Sequence, residues 1–421
     1  MTEQDQPTLS ISATPGIRSA LCQSSEPLPP ALQDFLVRNG LPLDLYSNAT
    51  ASDSSKRYLR IMHASSVNSD VDAAIRQFES EIHSVDSSVL IEPVLGVSYM
   101  YAMPSHVGIR NTSSFTSGRL LGVDLASAIA ALALDVQAGD NVLDLCCSPG
   151  GKLCMIADML NAMGGNGTVT GVDISKSRLE TCRALVKKYK PLPARLFLAD
   201  GTRFDAGVPP PNWKIPYRTK TPHPSEQKHE KECTAKLFYA PQVLRNPPPL
   251  HSDGQCYDRV LVDAECTHDG SIAHMVKALS RPDAVDHCAS LFSKDKQLQT
   301  EALQRRLLDH GWKMLKEGGV LVYSTCSLTR GQNEDIIASF MKDNSEQVRL
   351  ETVSIPEHLA ESAKLATIPK PLESNVTVDE VLFEEIITKT IRFDPRTSPT
   401  SGLFIAKLHK LPFSNNSNNN N

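Results

Sequence analysis

Short apolar runs alternate with helical apolar patterns over the central and carboxyl-terminal parts of the chain. The apolar, β-favouring runs predict buried strands at 142–145, 168–173, 195–199, 259–263 and 320–324. Patterns with a period close to 3.6 predict helices between them, at 152–163, 175–190, 297–315 and 336–341. This alternation predicts an α/β fold with a doubly wound, mostly parallel sheet and right-handed crossovers.

Two more strands are predicted near the carboxyl end, at 391–395 and 402–408. No helix is predicted between them, so they should form an antiparallel edge on the sheet. The amino-terminal part has a different pattern. A short helix around 32–41, a helix at 70–82 preceded by capping residues 66–70, and strands at 58–62, 89–91 and 97–101 predict a small α+β module.

These patterns divide the chain into four parts. Polar residues 1–27 and the Asn-rich tail 411–421 are predicted to be disordered. Residues 28–108 form the small module, which serves either as a structural cap or as a contact surface for substrate. Residues 109–410 form the main domain, with a further helix predicted at 122–134.

A proline-rich, basic insertion at 206–256 interrupts the main domain. A loop of this length inside a compact domain is either functional or disordered. It is therefore either a solvated insertion or a basic flap that contacts phosphates, with Trp213 and Tyr217 available to stack on bases.

Composition narrows the class of protein. The chain has 421 residues, 40% of them hydrophobic and 22% charged, which is ordinary for a globular protein. Its apolar runs are too short for a membrane span, and its acidic amino terminus resembles neither a secretory signal nor a transit peptide. We expect a cytoplasmic, nuclear or nucleolar protein that is a monomer. The ten cysteines form no Cys-x-x-Cys pair, so we expect reduced thiols and no metal site. Because the net charge is −5, any polyanion must bind a local basic patch.

Cysteines follow three of the predicted strands. Cys326 follows the strand at 320–324, Cys266 follows the strand at 259–263, and Cys146 follows the strand at 142–145. A free cysteine is often only a small buried hydrophobic residue. Three thiols at the carboxyl ends of parallel strands instead indicate the mouth of the sheet, where ligands bind.

The run 146–152 indicates which cofactor this mouth binds. Gly150 and Gly151 stand between a strand and a helix, where backbone approaches a ligand closely. The run is neither Gly-x-Gly-x-x-Gly nor a P-loop. Asp173 ends the second strand, a position from which a carboxylate accepts hydrogen bonds from ribose hydroxyls. Asp173 could instead cap the helix that follows. Asp200 ends the third strand. A nucleoside without a pyrophosphate fits this pattern, namely S-adenosylmethionine rather than a dinucleotide.

These motifs, with Ser324-Thr325-Cys326-Ser327-Leu328 and Gln332-Asn333-Glu334, resemble the RsmB/NOP (Sun/Fmu) family of S-adenosylmethionine-dependent RNA cytosine-C5 methyltransferases. The resemblance covers about 110–410 and implies a class I methyltransferase fold, which is Rossmann-like, with rRNA or tRNA as the partner. It raises the expectation that the amino-terminal module helps to bind RNA. It also implies that the cofactor is contacted by Cys146, Cys147, Ser148, Pro149, Gly150, Gly151, Lys152, Asp173, Asp200 and Asp263.

The resemblance assigns Cys326 as the nucleophile. Carbon 5 of cytosine is a weak nucleophile, and a thiolate that adds to carbon 6 activates it. Asp263 is expected to stabilise the charge on the ring, with Lys152 as a cationic support. By the same resemblance Cys266 assists release of the product, a step that Glu265 or a water could share. The target base must be unstacked to react.

One position departs from the family pattern. The family usually has Asp-Ala-Pro-Cys followed by a Ser/Thr-Gly pair, whereas this chain has Asp263-Ala264-Glu265-Cys266-Thr267-His268. A carboxylate at Glu265 is expected to disfavour a thiolate at Cys266. A catalytically idle member that acts as a scaffold for RNA or protein is therefore one alternative. A Rossmann dehydrogenase and a methyltransferase acting on protein or a small molecule are two others.

Overall fold

The computed structural model describes residues 27–46, 56–63, 71–189, 193–209, 235–241, 244, 256–364 and 379–412. Several predictions lie outside these residues. They are the disorder predicted for 1–26 and 413–421, the capping residues 66–70, and most of the insertion at 206–256, including Trp213 and Tyr217.

The amino-terminal part contains a helix and then a small antiparallel sheet with order β2-β3-β1-β4. Its elements are α1 (Pro30–Arg38), β1 (Lys56–Ile61), α2 (Val71–His83), β2 (Glu92–Pro93), β3 (Met100–Pro104), α3 (Ser113–Thr116) and β4 (Leu120–Gly122).

The rest of the chain builds the large sheet and its helices. Its elements are α4 (Leu125–Ala133), β5 (Asn141–Asp144), α5 (Gly151–Met163), β6 (Thr168–Asp173), α6 (Lys176–Lys188), β7 (Ala194–Leu198), β8 (Lys236–Tyr239), β9 (Tyr257–Asp263), α7 (Ile272–Leu279), α8 (Ala284–Leu291), α9 (Lys294–Met314), β10 (Leu315–Thr325), α10 (Glu334–Asp343), β11 (Val348–Glu351), α11 (Glu357–Lys364), α12 (Glu380–Lys389), β12 (Ile391–Phe393) and β13 (Leu403–Lys410).

The large sheet has the order β11-β13-β10-β9-β5-β6-β7-β8, with β12 paired to β13. The five strands from β10 to β7 run parallel. Helices connect β5 to β6, β6 to β7 and β9 to β10, as parallel neighbours require. β13 and β8 run antiparallel to their neighbours. The predicted α/β fold and its antiparallel carboxyl-terminal edge are confirmed. All six residues of β6 are buried, as expected for a strand covered by helices on both faces.

The small sheet is covered on one side by α2 and on the other by the main domain. Residues Ala74, Ile75, Phe78 and Ile82 of α2 lie one helical turn apart and pack on β1, β3 and β4. On the opposite face, Tyr58 and Met100 join the same apolar core as α4 and α5. The sheet is therefore fixed to the main domain by a shared core.

Two predictions for this region are wrong. The boundary at residue 108 falls within the small sheet, because β4 pairs with β1 further along the chain. Val89-Leu90-Ile91 forms no strand, since its only buried side chain, Val89, packs under α2 and a tight turn follows.

Residues 30–46 do not belong to the small sheet either. Phe35 of α1 packs against Phe292 with ring centroids 4.8 Å apart, in a cluster with α7 and α8 of the main domain. The hydroxyl of Tyr46 donates to the carbonyl of Asp269 at 2.9 Å. This segment thus braces the loop that follows β9. Within the described residues, every helix is too short or too polar to cross a membrane.

Candidate active site

The carboxyl ends of β5, β6, β9 and β10 meet at one edge of the large sheet. Cys326 follows β10, and Cys266 lies in the loop after the neighbouring strand β9. The two sulfurs lie 3.1 Å apart, and Cys266 is buried while Cys326 is half-buried. The cysteines predicted at the two strand ends are therefore in contact.

Side chains from 325–334 hold the two cysteine loops rigidly. The Gln332 amide donates to Thr267 Oγ1 at 2.8 Å and to Thr329 Oγ1 at 3.0 Å, which ties one loop to the other. The Asn333 amide donates to the carbonyls of Ser327 and Thr329 at 2.9 and 2.8 Å. All these groups are buried, where hydrogen bonds specify one geometry. The Gln332-Asn333 motif thus fixes the positions of both sulfurs.

Asp263 and Lys152 form an ion pair beside the cysteines. The Lys152 ammonium donates to Asp263 Oδ2 at 2.8 Å, and the Ser324 hydroxyl donates to Asp263 Oδ1 at 2.7 Å. Burial lowers the pKa of Lys152, but attraction to Asp263 outweighs it and raises the pKa above the usual value. The ammonium therefore stays charged next to the carboxylate.

His268 completes the cysteine pair. Its Nδ1 lies 3.0 Å from the Cys326 sulfur and 3.7 Å from the Cys266 sulfur. Burial opposes a thiolate at Cys266, yet hydrogen bonds from Cys326 and His268 lower the pKa of Cys266 to about 6. The hydrogen bond to Cys266, together with burial, raises the pKa of Cys326. These opposite shifts favour the thiolate on Cys266 over the thiolate on Cys326.

The expectation that Glu265 disfavours a thiolate at Cys266 is wrong. The Glu265 side chain is 47% exposed and its carboxylate lies 4.0 Å from the Lys296 ammonium, outside the cysteine pair. Its carbonyl accepts a hydrogen bond from Gln304 at 2.8 Å, which fixes the backbone of the loop. The Cys266 sulfur instead contacts the Cys326 thiol, which donates to it, and the His268 ring, which stabilises negative charge there when it is protonated.

The turn between β5 and α5 leaves room for a ligand. Gly150 has φ +107°, and a Cβ there would lie 2.8 Å from the Cys182 sulfur, so only glycine fits. A Cβ on Gly151 would meet no heavy atom within 4 Å among the described residues. The Cys147 side chain is buried against Cys182, so only the backbone of Cys147 faces the turn. Pro149 lines an open cleft beside the turn.

Three buried oxygens at this edge have no hydrogen-bond partner among the described residues: Asp144 Oδ2, Ser148 Oγ and Asp173 Oδ2. Leaving a buried polar atom without a hydrogen bond costs about 1–3 kcal/mol, so a ligand with polar groups is expected here. Asp173 Oδ2 also lies 3.7 Å from the Arg178 guanidinium. Asp173 Oδ1 accepts from the Ser175 amide at 2.8 Å, so this carboxylate also caps α6. The residues present fit a nucleoside cofactor with hydroxyl and amino groups.

Asp200 differs from these acceptors. Its Oδ1 accepts from the Thr202 amide at 2.9 Å and hydroxyl at 2.7 Å, and its Oδ2 accepts from Arg203 at 3.3 Å. Burial raises the pKa of Asp200, but these hydrogen bonds outweigh it and lower the pKa. Cys146, the first residue of the predicted run, is half-buried, and burial with the neighbouring Asp144 raises its pKa.

An open cleft of about 470 Å³ leads to the cysteine pair. It is lined by Pro149, Arg178, Thr181, Glu265, Cys266, His268, His274 and Leu291. Sequence patterns did not assign a role to Asp144 or His268. Asp144 ends a strand, which was the available signal, but the position of His268 depends on a turn with φ +57° that no pattern indicates.

A family model described as 16S rRNA methyltransferase RsmB/F matches residues 131–209 and 243–409. Among curated relatives, the chain is 29% identical over 238 residues to ribosomal RNA small subunit methyltransferase B of Pseudomonas syringae, a match that covers 56% of this chain and 40% of that protein. It is 24% identical over 299 residues to the tRNA (cytosine(49)-C(5))-methyltransferase of Pyrococcus abyssi, covering 70% of this chain and 72% of that protein.

The fold is similar to that of solved structures. The crystal structure of NSun6 from Pyrococcus horikoshii with SFG matches with a TM-score of 0.56 and 16% identity, over 92% of this chain and 100% of that one. The chain thus spans about two fifths of the Pseudomonas relative and the full length of the archaeal structure.

Proposed function

Because this chain belongs to the RsmB/F family of rRNA methyltransferases, we propose that it methylates carbon 5 of a cytosine in rRNA or tRNA, with S-adenosylmethionine as methyl donor and Cys326 as the nucleophile. The observation that carries the proposal is the contact between Cys326 and Cys266 beside the Asp263–Lys152 ion pair. Two thiols with unequal pKa values suit a reaction that needs first a nucleophile and later a base.

Cofactor binding is assigned to the turn between β5 and α5 and to the ends of β5 and β6. When bound, S-adenosylmethionine supplies an electrophilic methyl group on a sulfonium. The Asp173 carboxylate would accept hydrogen bonds from the ribose hydroxyls, and the backbone of Gly150 and Gly151 allows the ligand to approach closely. The oxygens of Asp144 and Ser148, which have no hydrogen-bond partner among the described residues, would form hydrogen bonds with its remaining polar groups. The P. horikoshii structure contains SFG, an analogue of this cofactor, which supports the assignment.

Each residue near the cysteines has a proposed task. The Cys326 sulfur bonds to carbon 6, so that electron density moves onto the ring and makes carbon 5 nucleophilic. The Asp263–Lys152 pair stabilises this charge. After carbon 5 has gained its methyl group, the Cys266 thiolate takes the carbon 5 proton. The electron pair of that C–H bond restores the ring double bond, and the bond between Cys326 and carbon 6 breaks with its pair returning to sulfur.

The small sheet contributes a basic groove that suits RNA phosphates. Lys56, Arg57 and Arg110 line a groove of about 430 Å³ together with Tyr58 and Phe115. Burial and the nearby Arg110 lower the pKa of Arg57, so like charges are crowded here. A phosphate would relieve that repulsion, and a net charge of −5 requires such a local patch for a polyanion.

Substitution of each cysteine tests the proposal. Cys326→Ala should reduce methyl incorporation into unmodified RNA at least about a thousandfold, because the step that activates the ring is lost. Cys266→Ala should retain the attack but slow release, so a covalent protein–RNA band should accumulate on a denaturing gel.

Cys256→Ala is the matched control, because this half-exposed cysteine precedes β9, at the opposite end of the strand. It should methylate RNA at the wild-type rate. Unchanged methylation by Cys326→Ala would contradict the proposed nucleophile. A wild-type protein that transfers no methyl group to any rRNA or tRNA cytosine would contradict the proposed function.

A further inference from the structure

We infer that His268 is a catalytic residue of this reaction, which takes the proton of the Cys326 thiol as that sulfur attacks the base. The inference rests on the proposed function and extends it to a residue outside the family pattern quoted above. His268 Nδ1 lies 3.0 Å from the Cys326 sulfur, within hydrogen-bond distance of a thiol. In the tautomer protonated at Nε2, Nδ1 accepts the thiol proton directly.

The backbone holds His268 in this position. The residue has φ +57°, in the left-handed region that L side chains rarely adopt. The Ser271 amide donates to the His268 carbonyl at 3.0 Å, and the Gly270 amide donates to the Cys326 carbonyl at 2.9 Å. The loop therefore turns the imidazole back onto the sulfur, and a strained backbone at this point is consistent with a functional role.

Charged and titratable groups face His268 from each element around it. Cys266, Glu265 and Asp269 belong to its own loop, and their attraction raises its pKa, although burial acts in the opposite direction. Cys326 faces it from the end of β10. His274 of α7 stacks on it with ring centroids 4.8 Å apart, and Arg178 of α6 lines the same cleft. Negative groups outnumber the cations, so an imidazolium formed here is stabilised.

The proton balance of the cycle closes with this assignment. In the reactive form Cys266 is the thiolate, Cys326 is the thiol and His268 is neutral; at lower pH His268 is protonated and pairs with the Cys266 thiolate instead. On attack the S–H bond of Cys326 breaks, its proton bonds to His268 Nδ1 and the electron pair left on sulfur forms the bond to carbon 6. The Cys266 thiolate remains free to take the carbon 5 proton. On release His268 returns its proton to Cys326, and Cys266 loses the other proton to solvent.

A rival acceptor lies equally close. The Cys266 sulfur is 3.1 Å from the Cys326 sulfur and could take the same proton. The two alternatives differ in what Cys266 does next. If it took the proton from Cys326, it would be a neutral thiol when carbon 5 needs a base. A test must therefore separate the effect of His268 on Cys326 from the effect of Cys266.

The first test measures the Cys326 thiol without RNA or cofactor. Cys266→Ser is compared with Cys266→Ser/His268→Asn by alkylation with iodoacetamide over a range of pH, and Cys326 is followed by peptide mass spectrometry. We expect alkylation of Cys326 at neutral pH to fall about tenfold or more in the double variant, because an imidazolium stabilises the thiolate. Asparagine is the conservative replacement, since it tolerates positive φ. Equal alkylation profiles would overturn the inference.

The second test measures single-turnover methyl transfer. The wild-type rate should fall as the pH drops through a pKa above the usual value of about 6.5, because His268 must be neutral. His268→Asn should lose this acid limb and react about a hundredfold or more slowly. In His268→Gly, which suits φ +57°, added imidazole can enter the cleft and should restore part of the rate.

His409→Asn is the matched control. His409 pairs with Val320 in the middle of β10, six positions before Cys326, and its substitution should leave both the rate and the pH profile unchanged. If the two Cys266→Ser proteins alkylate equally in the first test, and His268→Asn matches the wild-type protein in the second, the proton goes to Cys266. If the alkylation difference holds but no RNA is methylated, the proposed function fails and the proton acceptor stands.

Discussion

Asp144 lies with its carboxyl group enclosed at the end of β5. Burial first, and repulsion from Asp263 second, raise its pKa to about 8. In an unfolded chain its pKa would be about 3.9. The folded protein thus binds this proton more tightly than the unfolded chain does. The contribution of Asp144 to stability therefore decreases as the pH rises from about 4 to about 8.

Replacing Asp144 by Asn should therefore stabilise the protein at alkaline pH, since Asn has the same shape and no charge. We expect a rise in Tm of about 2–4 °C at pH 9 and a smaller one at pH 5. The thermal shift produced by S-adenosylhomocysteine should fall, because the substitution replaces an oxygen that is assigned to the ligand and has no hydrogen-bond partner among the described residues. Thermal unfolding at the two pH values, with and without this ligand, measures both effects.

Asp200→Asn is a control for which the opposite change in Tm is expected. Hydrogen bonds in the fold lower the pKa of Asp200, so its contribution is present above its unfolded pKa and is lost as the pH falls through its folded pKa. This variant should lower Tm at both pH values. A lower Tm for Asp144→Asn at pH 9 would contradict a raised pKa at that residue.

At the same scale, the sequence allowed the cysteines to be anticipated but not their chemistry. Parallel strands align their carboxyl ends, so Cys266 and Cys326 were expected at one edge. Their unequal pKa values depend on distances of about 3 Å to each other and to His268, which arise from the conformation of one loop. The effect assigned to Glu265 was wrong because chain proximity does not determine which way a side chain points.

At the scale of elements, the turn between β5 and α5 contains two glycines, Gly150 and Gly151, that are required for different reasons. Gly150 is needed for its positive φ and for the space that Cys182 occupies, whereas Gly151 borders open space. A methyl group on Gly150 would contact the Cys182 sulfur, whereas a methyl group on Gly151 would enter the space assigned to the cofactor.

Gly150→Ala should therefore destabilise the fold by about 1–3 kcal/mol, because the residue must either strain its backbone or displace the Cys182 sulfur. Gly151→Ala should keep Tm but reduce the thermal shift produced by S-adenosylhomocysteine. Thermal unfolding of both variants measures the difference.

Gly122→Ala is a control, since a Cβ there also meets open space, but in the small sheet. It should change neither quantity. An undiminished ligand shift in Gly151→Ala would argue against a cofactor beside α5.

Elements with strong apolar periodicity were predicted well. The bounds predicted for β6, α5 and α6 differ from the observed ones by at most two residues, because β6 and α5 are buried along most of their length and α6 buries residues three and four positions apart. β11 was missed, since only two of its four residues, Val348 and Leu350, are buried. α7 and α8 were missed because each has only eight residues, too few for a period to be evident.

At the scale of the whole molecule, segments distant in the chain share one core. α1 packs against α7 and α8, and β4 joins β1 across the predicted boundary at 108. Such pairings depend on contacts between distant residues, which the local pattern does not encode. The basic groove of the small sheet belongs to this level, because β1 and the segment around Arg110 form it jointly.

Arg110→Ala should weaken RNA binding about tenfold and reduce the salt dependence of log Kd by about one unit, because one phosphate contact is lost. Filter binding at several salt concentrations measures both quantities. Arg349→Ala on β11 removes the same charge outside the groove and should leave affinity and slope unchanged. Equal losses in the two variants would mean that overall charge, not the groove, attracts RNA.

The order of the strands also affects when this protein can first act. β13 lies between β10 and β11, so residues 404–409 supply the hydrogen bonds along one side of the strand that precedes Cys326. The Gly402 amide also holds the loop after β9 by donating to the Gly270 carbonyl at 2.9 Å. Since translation proceeds from the amino terminus, both cysteines are synthesised well before this strand. A nascent chain therefore lacks the complete support of the cysteine site until β13 has been synthesised.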